Sequence, residues 1–456
     1  MGKIELDHTG SGSGITLSSD GTDLLLNGTA IGGGGGGGAD LYAVETTGST
    51  NPSAGGTLSI AIGSDADAFG SDSVAIGTQT AAGNNSVAIG KLALSQATST
   101  GLYNTAVGWN SAIYLTTGDN NSAFGRNALQ GSSLDKLTGS GNTGIGYGAG
   151  SKVTSGDNNL FAGTNAGNLI TSGDSNTILG YNADGNATTS QQTAVGYNAQ
   201  VAGTNATALT YSYASGADSF AAAIANNTSS YGATGANSVA IGYLAKATGL
   251  YSYAGGSLST ASGYGSIAMG IGPTASGHSS IALGGRGLWY AQATAMSSIA
   301  IGDGARSEVK GKMAFAGYGM GNAGSQSGYY ALYSDTTDAT AEAMTTTKSS
   351  ASTDNQIILP NNSAFAFHGT IVARQQASGG TASAAWKIEG LIRREGTAST
   401  TTLVNSATTV LDNTPSWGMA LSADTTDGGL AITVTGAAAT NIRWVATIHT
   451  SEVTYA

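Results

Sequence analysis

The sequence predicts an all-β protein, a parallel β-solenoid shaft followed by a C-terminal antiparallel β-sandwich of jelly-roll-like type. Three observations carry this expectation. A five-residue unit, [S/N/Q]-x-x-x-G with a small apolar middle, returns seventeen times between Leu58 and Gly317. Its spacing is 14 residues in the cleanest runs, which suits a repeat built around one short strand. Beyond Gly317 the unit stops, and longer, bulkier segments punctuated by turn residues take over.

Composition sets the terms for any core. Among 456 residues there are 72 Gly but only 16 Lys+Arg and 27 Asp+Glu, and much of the apolar fraction is alanine. A lone chain of this kind would bury little apolar area against about 1–2 kcal/mol of backbone entropy per residue. The core must therefore be shared between repeats or between copies, and closed rotational symmetry is the usual way to share it. Disorder, the alternative for a Gly/Ser/Thr/Ala-rich chain, conflicts with the regular repeat. The net charge of −11 disfavours nucleic acid and anionic membranes. Absence of cysteine excludes disulfides and thiolate metal sites. No window approaches about 18 continuous apolar residues, so no membrane insertion is expected. MGKIELDHTG lacks the basic-then-apolar order of a secretory signal, so export by that route is not expected.

Residues 1–31 read as short strands: KIELDH, then GITLSSDGTDLLLNGTAI with a turn at Ser19–Gly21. Residues 32–56 read as a Gly-rich linker, opening with seven consecutive glycines, Gly32–Gly38. A folded tab on a flexible tether suggests an attachment segment.

The shaft is expected over 57–317. Its units end at Gly63, Gly77 and Gly90, continue through longer repeats from Gly108 to Gly196, and end at Gly242, Gly256, Gly270, Gly284, Gly302 and Gly317. Between these runs, NATAL ends at Leu209 and SFAAA at Ala223, keeping the register without glycine. Alternation in SVAIG puts Val87 and Ile89 on one face and Ser86, Ala88 and Gly90 on the other. The expectation is that Val and Ile fill the inside. Glycine would take the corner, where positive φ is cheap without a Cβ.

In the compact repeats Ser precedes the glycine by four (Ser73, Ser86, Ser238, Ser266, Ser280, Ser298). Longer repeats use Asn104, Asn121, Asn142, Asn159 and Asn176 there, and add a second column at Asn110, Asn127, Asn165, Asn182 and Asn198. Stacked amides in that second column suggest a ladder. The inserted GDNN-type turns are expected to lengthen surface loops and leave the coil intact. At roughly 4.8 Å per coil, such a shaft would be on the order of 80 Å long.

Residues 318–456 hold eight strand candidates, from YYALYS to IRWVATIHTSEV, and three of the five Trp: Trp386, Trp417 and Trp444. They suggest a sandwich with a conventional core that caps the open end of the solenoid.

The SVAIG/NTAVG array over Leu58–Gly317 resembles the left-handed β-roll of trimeric autotransporter adhesin heads, which implies a homotrimer of parallel rolls. The flanks look more like bacteriophage tail-fibre proteins. The N-terminal ITLSSDGTDLLLNGTAI with polyglycine is similar to their virion-proximal ends, and IILPNNSAFAFHGTIVAR…LAITVTGAAATNIRWVATIHTSEV, within Tyr329–Tyr455, is similar to a terminal domain common in them. This resemblance implies a virion fibre attached to tail or baseplate by its N-terminal segment. It further implies recognition of a host-surface glycan or protein receptor without cofactor or catalysis. A capsid-mounted fibre, a purely structural one and a tailspike depolymerase are the alternatives.

Candidate sites are sparse, and no receptor-binding residue can be named. His8, His278, His368 and His449 lack the spacing of a metal site or triad, which points to structural roles. Asp119, Asp157 and Asp174 recur in turns; a cation- or sugar-binding row is conceivable, but turn hydrogen bonding is the simpler role. Trp109, Tyr147, Tyr181, Tyr197 and Tyr243 follow the glycine and should stack as a structural ladder in preference to a glycan platform. Arg374, Lys387, Glu389, Arg393, Arg394, Glu395 and Arg443 concentrate the C-terminal charge, and the alternation Trp386-Lys387-Ile388-Glu389 suggests a solvated outer face.

Overall fold

A computed structural model describes residues 51–96, 101–222, 230–286, 289–317, 325–376 and 382–455, together with the backbone of five N-terminal strands. Gly32–Gly38, Asp20 and Gly21, the repeat end at Ala223 and His8 lie outside the described residues. The chain divides into two compact units, Met1–Asp218 and Ser219–Ala456.

In the first unit, Ile4–Leu6, Ile15–Ser19, Leu24–Leu26 and Thr29–Ile31 form an antiparallel sheet in chain order. A parallel stack follows. Ala39–Leu41 pairs with Ile60–Ile62, and the ladder runs on in register through Val74–Ile76, Val87–Ile89 and each later repeat to Thr207–Leu209. One repeat contributes one strand of this ladder. Strand pairing starts at Ala39, within the stretch 32–56 read as linker, and a parallel bridge joins Ser53 to Asp67.

The strands face the opposite way from the expectation. Alternation holds, but the small residues point inward: Ala61, Ala75, Ala88, Ala106 and Ala194 are 0% exposed. Val87 is half-buried and Ile89 is 36% exposed. The narrow interior explains the inversion. Ser59 and Ser73 fold inward and donate their hydroxyls to Gly56 and Gly70 carbonyls at 2.7 and 2.5 Å. Glycine at the corner lets neighbouring compact coils touch: Gly77 sits at φ +134°, and a Cβ there would lie 2.8 Å from the Gly90 carbonyl oxygen. Between such walls there is room for a methyl group and little more.

The long repeats depart from this plan, and they correct the view of their inserts as surface loops. Leu94, Leu115, Leu129, Leu137, Val153 and Ile170 lie within the inserted segments and are buried. Phe161 and Ile178 take the interior position that alanine holds elsewhere. Extra chain therefore widens the coil and fills it with large aliphatic side chains.

In the second unit the ladder runs from Phe220–Ala222 and Val239–Ile241 to Ile299–Gly302 and Met313–Ala316. A second parallel ladder joins Gly232–Ala233, Lys246–Ala247, Thr260–Ala261, Thr274–Ala275, Gln292–Ala293 and Arg306–Ser307. These coils thus have two short strands each, and the interior is alanine from both, as with Ala240 and Ala247, except that Ser307 takes the place in the last. Met313–Ala316 then pairs antiparallel with Gln326–Thr336. That strand edges a five-stranded antiparallel sheet, continued by Ile442–Thr454, Ser363–Gln375, Ser383–Arg394 and Thr402–Asp412. A smaller sheet centres on Gly429–Thr435, with Gly418–Asp424 on one side and Ala341–Ala343 and Ile357–Ile358 on the other. Side chains of both sheets form one core around Trp386, Trp417 and Trp444.

Candidate functional site

The asparagines of the long repeats are structural members of the stack. Asn104, Asn121, Asn142, Asn159 and Asn176 are all buried. Each Oδ1 accepts the backbone N–H one coil on: Asn121 to Asn104 at 2.8 Å, Asn142 to Asn121 at 2.9 Å, and so on to Gln192. The Nδ2 groups of Asn104, Asn121, Asn142 and Asn159 donate to the carbonyls of Gly118, Gly139, Gly156 and Gly173. The amide ladder thus lies in this column. In the column expected to form it, Asn110, Asn127, Asn165, Asn182 and Asn198 have φ between +50° and +59°. Asparagine tolerates that left-handed corner better than most residues. Among these side chains one long bond, Asn165 to Asn182 at 3.4 Å, follows the ladder pattern.

The turn aspartates also link coils. Asp119 accepts the Leu102 N–H at 2.7 Å, Asp157 that of Ser140 at 2.7 Å, and Asp174 that of Asp157 at 2.8 Å. Ser140 and Ser190 take the same part for Asp119 and Asp174. Sequence reasoning passed over Asp184, which is singular in its turn. Burial pushes its carboxyl up to about 6, against the pull of the Leu169 and Gly185 N–H groups and of Lys152.

Aromatic side chains form exposed columns. Tyr181 stacks on Tyr197 with ring centroids 5.4 Å apart, and Tyr197 meets Tyr211 at 5.0 Å. Arg126 lies 4.3 Å over Trp109 and 5.6 Å from Tyr147, bridging them by cation–π contact. The second unit has a column that the sequence reading missed: Tyr251 against Tyr264, and Tyr264 stacked on His278 at 4.6 Å. His278 sits one coil on from Tyr264 at the same repeat offset, a signal visible in the 14-residue spacing.

On the five-stranded sheet, Lys387 and Glu389 are exposed and 3.9 Å apart while Trp386 and Ile388 are buried. Strand register also brings together two histidines far apart in sequence. His368 pairs with His449, their rings stacked at 5.1 Å, and Tyr329 packs on His449 at 3.7 Å. Arg443 reaches Asp335 at 3.0 Å, and Arg374 is its cross-strand neighbour. Arg394 turns inward to the Leu359 carbonyl at 2.7 Å. Where the last coil meets the sandwich, buried Glu452 accepts from Lys312 at 2.7 Å, Thr450 at 2.7 Å and Tyr330 at 3.2 Å. Burial and that carboxylate push the Tyr330 phenol well above its ordinary range.

The outer face of the coils also carries exposed apolar residues. The outward residues of the first strands make a stripe in each unit, with Ile60, Ile89, Phe124 and Ile145 in one and Ile241, Met269, Met313 and Phe315 in the other, all exposed. Such contiguous apolar surface is unusual on a soluble monomer and marks an interaction face.

No curated protein matches the chain. The family model described as the YadA head domain repeat (2 copies) matches residues 54–80, 80–93, 193–209, 233–259, 261–286 and 289–305. The long coils between 94 and 192 lie outside these segments. The matched segments share in-register strands and inward alanines, and together with the parallel solenoid they support an adhesin-like β-roll shaft.

Proposed function

We propose that this chain is a homotrimeric fibre of a bacteriophage virion, a tail fibre that binds the host surface noncovalently. The observation that carries the adhesive part is the YadA-type repeat, and its outward apolar stripe supports the trimer. Three parallel copies that bring their stripes together would bury what one copy exposes. The likeness of both flanks to phage fibres supports the virion setting: a small N-terminal sheet for mounting, and a C-terminal sandwich whose loops offer contact surface. Three identical tips would give avidity without any single strong site.

Light scattering should report a mass three times 44.7 kDa. Purified chain should bind host cells and block infection by the intact phage, and a trimer that does neither defeats the attachment reading. Antibody labelling in the electron microscope should mark the tail, whereas label on the capsid would replace a tail fibre with a head fibre.

A further inference from the structure

Among the described residues, a cavity of about 300 Å³ opens where the last coil meets the sandwich. That volume lies at the small end of the range for ligand sites, roughly 300–1,000 Å³. Val309, Leu359 and Pro360 give it an apolar wall, and Arg306, Glu308, Arg394, Thr353 and Thr454 are among its polar groups.

The charges in this wall do not cancel. Lys312 is neutralised by Glu452 at 2.7 Å, and the Gln326 amide is held by Glu452 and the Arg306 backbone. Among the described residues Arg306 has one carboxylate neighbour, Glu308, 3.9 Å away and also in the cavity wall, so Glu308 and Glu452 stand against three cations, Arg306, Lys312 and Arg394. Arg394 has no carboxylate partner among the described residues. Its Nη1 donates to the Leu359 carbonyl, while its Nε is buried and has no hydrogen-bond partner. The placement is built in: Gly428, at φ +82°, leaves the space for the guanidinium, and a Cβ there would sit 2.3 Å from Nη1. An arginine has more N–H donors than this one bond uses, so a guanidinium in the cavity wall with no carboxylate partner leaves donors for an anion.

We propose that this cavity binds a carboxylated monosaccharide, a sugar acid of the uronic or sialic type. The carboxylate would meet the Arg394 and Arg306 guanidinium groups that line the cavity, since guanidinium groups favour such planar anions. Thr353 and Thr454 would meet ring hydroxyls, and the C–H face of the sugar would lie on Val309, Leu359 and Pro360. A bare anion would use neither the hydroxyls nor the apolar wall. The site goes beyond the fibre reading and does not depend on it, because binding is read on purified chain without cells.

The test is titration calorimetry on the full-length chain with four probes: glucuronic acid, N-acetylneuraminic acid, glucose and inorganic phosphate. At least one acid should bind about tenfold or more tightly than glucose and phosphate. Arg306→Gln and Arg394→Lys should each weaken that binding about tenfold or more, one lost charge-assisted contact being worth that factor. Arg306 is half-exposed, so its variant keeps the test open if Arg394→Lys fails to fold. The proposal is overturned if neither acid binds, if glucose or phosphate binds as well, or if the folded variants bind unchanged.

Discussion

At the scale of single residues, the long coils depend on asparagine as a two-sided connector. Asn142 donates its N–H to Asn121, accepts from Asn159 and donates Nδ2 to the Gly156 carbonyl, all out of water. Asn142→Ala would leave the Asn159 N–H and the Gly156 carbonyl unpaired, and should cost about 2–4 kcal/mol in chemical denaturation. A loss below about 0.5 kcal/mol would show that the ladder is incidental. Asp184 adds a pH dependence of definite sign. Its folded value of about 6 lies above the ordinary 3.8, so the folded chain keeps a proton that the unfolded chain has released. The stability it contributes is fully present below about 3.8 and is lost as pH rises through about 6. Asp184→Asn keeps an acceptor for the Leu169 and Gly185 N–H groups and removes the charge. It should stabilise the chain at pH 7 by about 1–2 kcal/mol and leave it unchanged at pH 3.5, read from melting curves at the two pH values. Which asparagine column carried the ladder was not legible, because spacing shows equivalence between coils but not the sign of φ that aims each side chain.

At the scale of the strand, the sequence made the period plain but not the side. Ser86, Ala88 and Gly90 share one face and Val87 and Ile89 the other, as period two requires. The usual rule that large apolar residues go inside then chose the wrong face. It fails here because a coil of about 14 residues, closed by inward serine hydroxyls, leaves a space that fits only alanine, whereas longer coils with the same corner glycines take Phe161 and Ile178. Two neighbours test this directly. Ala240→Val adds volume to a 0%-exposed interior position repeated at Ala254 and Ala268, and overpacking should cost about 1–3 kcal/mol. Ile241→Lys changes an outward residue, 37% exposed, and should leave the circular dichroism spectrum of the coil intact while weakening assembly in light scattering. The opposite pattern, with Ala240→Val tolerated and Ile241→Lys unfolding the chain, would return Val and Ile to the interior. The sandwich strands were easier to read because their alternation sets aromatic residues against charges, as in Trp386-Lys387-Ile388-Glu389. The pairing of His368 with His449 was not legible at all, since it depends on which distant strands become neighbours.

At the scale of the whole molecule, the outward stripe and the net charge make opposing demands. The stripe favours association, while each copy carries a net −11 and copies brought side by side repel one another. An assembly held by apolar contact and opposed by like charge has two signatures. Its melting temperature should rise with protein concentration, because the folded chain is stabilised by mass action with its partners. Its stability should also rise with salt, because ions screen the repulsion over about 10 Å at 0.1 M and leave apolar burial intact. Surface ion pairs between copies would give the reverse salt response. Melting curves over a hundredfold concentration range, at low and high sodium chloride, separate these cases. Concentration-independent melting together with the mass of one chain would mean that the stripe is covered within a single molecule, and the trimer would have to be abandoned.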